Sequence, residues 1–116
     1  MIVTPSEVLR AAAQHMEDRA TTYDAPNGER SMEKTVAMFN NLMGGDRYMT
    51  TEQGWLFMAI LKIVRSQQGD FRADNYEDLA AYAALAAEEA AGAIMKREGE
   101  DEYELQCNRQ LLHGAP

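Results

Sequence analysis

Lys62 and Arg65 stand three residues apart, and Asp74 and Asp78 four apart, on either side of a short link. On a helix, either spacing puts both side chains on one face. Two antiparallel helices joined by that link would set two cations against a carboxylate and a phenol, Tyr82. Such an array is either an ion-pair network that fixes register or the floor of a pocket for phosphate or a metal ion. Spacing alone leaves these two readings level. Reflecting the chain about the middle of the link, near residue 72, puts Arg65 level with Asp78 or Leu79 and Lys62 level with Tyr82. The register is good to about one helical turn, ~5 Å.

Two further groups carry chemistry. His15 and Arg19 are one turn apart, and Tyr23 follows near the end of the same segment. They would form a basic, aromatic edge for a base or a phosphate, although a half-buried surface stripe is the plainer reading. Glu29 and Glu33 place two carboxylates on one helix face. Mg²⁺ is commonly held by one or two carboxylates with phosphates and waters. Glu29, Glu33, Asp74 and Asp78 would make a four-carboxylate set if the helices that carry them face each other. There is no G-x-S-x-G, no phosphate-binding glycine loop and no H-E-x-x-H. Cys107 lies in a polar stretch, and His113 lies near the C-terminus.

The elements that must position these residues read as helices. Alanine, methionine, leucine and glutamate are plentiful, and the β-branched residues are few. Thr4, Pro5 and Glu7 mark a helix start with a capping box. That helix should fade at Ala20–Thr22. Pro26, Asn27 and Gly28 mark a connector. A second helix is expected from about Glu29 to Met43, with Met32, Val36, Phe39 and Met43 as its stripe and Gly44-Gly45 as its stop. Thr50 and Gln53 open a third helix that is apolar almost all round and so is expected to be buried on several sides. After Asp70–Asp74, Asp74 or Asn75 would cap an alanine-rich fourth helix. The expected organisation is one all-α domain over residues 1–97 and an acidic tail, 98–116, in which Leu105, Leu111 and Leu112 allow a short docking helix.

The chain of 116 residues has a net charge of −8, the opposite of what a nucleic-acid backbone binder needs. A single cysteine excludes an internal disulfide and a cysteine-rich zinc site. No apolar run approaches the ~20 residues that span a bilayer, and no signal peptide is visible. A cytoplasmic location is expected, which includes the cytoplasm of an infected host.

Thr22–Pro26, Met58–Arg65 and Asp74–Leu85, in that order, resemble a family of small helical proteins from phages and prophages, of largely unknown function. The likeness spans roughly residues 6–90. Many of those proteins have glycine where this chain has Asp24. More distantly, the layout is similar to MazG-like all-α nucleotide pyrophosphohydrolases. The resemblance implies a four-to-five-helix bundle around a central antiparallel hairpin, assembled as a homo-oligomer. It also implies Mg²⁺-dependent cleavage of nucleoside triphosphates. Their motif is E-x-x-E followed by E-x-x-D; this chain has the wider spacings of Glu29/Glu33 and Asp74/Asp78. On that reading these four residues hold the metal and activate water. Lys62 and Arg65 stabilise phosphate charge, with Tyr82, His15, Arg19 and Tyr23 around the ligand. The alternative is a non-catalytic protein that sequesters a nucleotide-like ligand or inhibits a host protein through its acidic surface.

Overall fold

The computed structural model describes residues 3–23 and 31–113. They form four helices and, among the described residues, no strand: α1 (Pro5–Tyr23), α2 (Ser31–Met43), α3 (Thr51–Ser66) and α4 (Ala73–His113).

Local sequence sets the starts of two helices as expected. At α1, the Glu7 N–H donates to Thr4 Oγ1 at 3.2 Å, and the Thr4 N–H donates to the Glu7 carboxylate at 3.4 Å. At α3, Thr50 and Gln53 form the same reciprocal box, at 3.1 and 3.0 Å. Between α2 and α3 the chain turns through Gly44 and Gly45, both at positive φ (66° and 92°), which side-chain-bearing residues rarely adopt. The Asn40 carboxamide then closes this link. It donates to the Met49 carbonyl and accepts from the Met49 N–H, both at 2.9 Å.

α3 and α4 pack most extensively, and they run antiparallel: Trp55 lies against Tyr82, and Lys62 against Asp78. α1 lies on α4, and α2 rests on α3. The α2–α3 approach is close at Gly54. A Cβ there would fall 2.5 Å from Met32 Sδ and 2.8 Å from Val36 Cγ2. Trp55, Ala59, Tyr82, Leu85 and Ala86 form the core, with Met16, Met32, Met58 and Leu79 packed around it.

Three expectations change. α2 rests on α3 rather than facing α4, so Glu33 does not face the α4 aspartates. α3 is covered mainly by α4, with α2 on another side, which leaves Leu56, Phe57, Ile60, Ile63 and Val64 exposed rather than buried on several sides. α4 begins at Ala73, so neither Asp74 nor Asn75 is its cap, and it runs unbroken through residue 97 to His113. Its second half is rich in glutamate and also carries leucine, glutamine and arginine, all good helix formers. A helix of 41 residues is about 60 Å long, which accounts for the 75 Å long axis of the molecule.

Candidate functional site

The α3–α4 link sets the site. α3 stops at Ser66, and the Gln67 N–H turns back to the carbonyls of Val64 and Arg65. Gly69, at φ 69°, reverses the chain. The turn therefore starts before Asp70, and the hairpin register slides by one helical turn from the sequence expectation.

That slide corrects both expected pairs. Lys62 Nζ meets Asp78 Oδ2 at 2.9 Å, rather than Tyr82. Arg65 does not reach Asp78; it is exposed and makes no ion pair with a described residue. Tyr82 instead stacks on Trp55, with ring centroids 5.7 Å apart and planes inclined by 20°. Trp55 escaped the sequence reading, although centring the turn on Gly69 would have brought it level with Tyr82.

Asp78 is shared by three helices. Its second oxygen accepts from the Arg19 guanidinium of α1 at 3.3 Å. The same guanidinium lies over the Tyr82 ring, 5.3 Å from its centroid, where the π face attracts a cation. The Lys62 and Asp78 side chains are each 13% exposed. Removing one partner from a pair so sheltered costs several kcal/mol, because the other charge is stranded. One position earlier on α4, Glu77 Oε2 lies 3.4 Å from His15 Nε2. Both basic groups of the expected edge are thus brought to α4 carboxylates. Tyr23 ends α1, and its side chain lies outside the described residues.

The expected carboxylate set is dispersed. Glu29 lies outside the described residues, and Glu33 is exposed on α2. Asp74 is held by Arg72, whose Nε and Nη2 donate to its two oxygens at 3.3 Å each. Those hydrogen bonds, with the nearby charges of Arg72 and Lys62, lower the Asp74 pKa. Among the described residues, no three His, Cys, Asp or Glu side chains are grouped to hold a metal ion. The described carboxylates therefore do not fit a Mg²⁺ site as a set.

Two hollows flank the Lys62–Asp78–Arg19 array. One, of about 530 Å³, is lined by Arg19, Met32, Thr35, Trp55, Met58 and Tyr82 among others. The other, of about 330 Å³, is lined by Lys62, Arg65, Gln68, Arg72, Asp74 and Asn75. The first joins aromatic and thioether surface to one guanidinium, and the second is lined by polar and charged residues. Met32 read in sequence as a helix-stripe residue, Met58 as part of the apolar run of the third helix, and Arg72 as link; nothing local marked them or Gln68.

The fold and site define a small all-helical domain in which three helices meet on one doubly paired carboxylate beside an aromatic hollow. Residues 7–90 match the family described as a domain of unknown function, DUF6378, and the chain belongs to that family. The matched span contains every residue of the junction and of both hollows. No curated protein and no solved structure matches the chain. Among the described residues, no helix is long and apolar enough to cross a membrane.

Proposed function

We propose that this protein binds a nucleotide-like small molecule in the hollow beside Trp55 and Tyr82, without hydrolysing it. The observation that carries the reading is the wall of that hollow: a stacked Trp55–Tyr82 pair, the thioethers of Met32 and Met58, and the Arg19 guanidinium. Aromatic and thioether surface suits a flat heteroaromatic ring. A volume of about 530 Å³ is of the right order for a nucleoside. Arg19 spends one edge on Asp78 and retains further N–H donors for a phosphate or sugar oxygen. The likeness to MazG-like pyrophosphohydrolases read from the sequence supports the same ligand class. In Mg²⁺-dependent hydrolysis the metal would compete with Lys62 and Arg19 for Asp78, and with Arg72 for Asp74. Binding without turnover involves no such competition.

Trp55 is the sole tryptophan, so its fluorescence reports on the hollow directly. A panel of nucleosides and nucleotides, titrated with and without Mg²⁺, should give a saturable change in Trp55 emission. The same ligand should raise Tm by mass action. Thr35→Phe, which narrows the hollow, should weaken both. Folded protein that shows no saturable response to any member of the panel would sink the reading. Release of pyrophosphate in the presence of Mg²⁺ would replace it with the hydrolase.

The proposal includes self-association through α3. The support is the exposed run Leu56, Phe57, Ile60, Ile63 and Val64, in a chain where no large side chain among the described residues is fully buried.

A further inference from the structure

The polar cleft at the α3–α4 turn has a different character from the aromatic hollow, and the Lys62–Asp78 pair separates the two. All six of its lining residues are polar or charged. Lys62, Arg65 and Arg72 bring three positive charges to it against the one carboxylate of Asp74, in a chain whose net charge is −8. We propose that this cleft is an anion site that takes a phosphate group.

Two side chains carry the inference. Arg65 makes no ion pair with a described residue, although the Lys62–Asp78 register brings both α4 aspartates within about one turn of its level. Its guanidinium opens into the cleft with its full set of donors. Asn75 is 7% exposed, the one polar residue among the described residues that is buried to this degree. Its backbone N–H is satisfied by the Arg72 carbonyl at 3.2 Å. Its carboxamide makes no hydrogen bond to a described residue, yet it lines the cleft. A buried amide without a partner is uncommon in folded proteins and implies one from outside the chain.

The surroundings define the partner. Lys62 donates to Asp78 with one of its three N–H bonds, and Arg72 reaches Asp74 with two of its five. Both retain donors. The first turn of α4 adds main-chain N–H groups with no intrahelical acceptor and the positive end of the helix dipole. Donors dominate the lining, no aromatic or thioether side chain is part of it, and apolar surface is the minor share. A tetrahedral dianion accepts many such bonds and matches the net positive lining; a planar base matches neither. The phosphate is either free or the end of a ligand whose ring lies in the neighbouring hollow.

The test uses the full chain and inorganic phosphate, titrated against chloride at matched ionic strength. By ¹⁵N NMR, the Asn75 carboxamide and Arg65 Nε signals should shift saturably and together. Arg65→Gln, an exposed change that spares the core, should raise Kd about tenfold, the loss of one charged contact. Asn75→Asp should abolish binding by placing a second carboxylate in the cleft. A non-saturating drift, unchanged in Arg65→Gln, would overturn the proposal. Comparing a nucleoside 5′-monophosphate with phosphate alone separates the two sources. A monophosphate about tenfold tighter assigns the cleft to the end of a nucleotide, and equal affinities assign it to free phosphate. Because phosphate carries no ring, failure of the nucleoside panel leaves this result standing, and the converse holds too.

Discussion

On one face of α3, Trp55, Ala59 and Lys62 are each fixed by α4. The first two share a buried cluster with Tyr82, Leu85 and Ala86, and the third is bonded to Asp78. On the opposite side of the same helix, Leu56, Phe57, Ile60, Ile63 and Val64 are between 43% and 60% exposed. In sequence the helix is apolar almost all round, and Lys62 is the one break in the run from Trp55 to Val64. What separates them is directional chemistry: the closed face carries the stacked ring and the ammonium, and the open face carries apolar surface alone. Apolar surface sets no geometry by itself. It returns about 25 cal/mol per Å² when covered, whatever covers it. The closed face therefore fixes a site, whereas the open face fixes only a tendency to be buried.

The comparison can be broken most sharply at Tyr82. Tyr82→Ala removes the ring that joins Trp55 to Arg19, and urea denaturation should show a loss of about 3–5 kcal/mol. Tyr82→Phe keeps the stack and should lose far less. Next comes the paired carboxylate: Asp78→Ala strands Lys62 and Arg19 and should cost about 3 kcal/mol. Adding Lys62→Met to Asp78→Ala should recover part of that loss, as the coupling term of a double-mutant cycle. The smallest effect on folding belongs to the open face. Ile60→Glu should change stability by no more than about 0.5 kcal/mol in the separated chain. Sedimentation velocity should nonetheless show it shifted to the monomer. A wild-type chain that sediments as a monomer at every concentration would remove self-association from the reading.

Local signals in the sequence carried much of this structure. Thr4/Glu7 and Thr50/Gln53 announced the starts of α1 and α3, because a capping box needs only four consecutive residues. The hairpin was legible from its short link. Its register was not, because the reflection was centred on residue 72, inside the Asp70–Asp74 link, whereas the chain already turns at Gly69; that displaced Lys62 from Asp78 by one helical turn. The resting place of α2 was illegible for another reason. It depends on Gly54 admitting Met32 and Val36 at close range, a tertiary fit with no local pattern. Asn75 misled in the opposite sense. Asparagine near a helix start reads as a cap, and here it lies inside the first turn, buried.

Asp78 also bears on the order of assembly. Its bond to Lys62 closes a short hairpin, whereas its bond to Arg19 joins residues 59 apart, and His15–Glu77 joins residues 62 apart. Closing the longer loop costs about 1 kcal/mol more in chain entropy. The α3–α4 hairpin can thus form first, with Lys62 already neutralising the carboxylate, and α1 docks afterwards onto a finished partner. By microscopic reversibility α1 can leave before the hairpin opens. Its backbone amides should exchange with solvent faster than those of Ala81–Ala86, and each such excursion lifts Arg19 from the ring of Tyr82 while the hairpin stays folded.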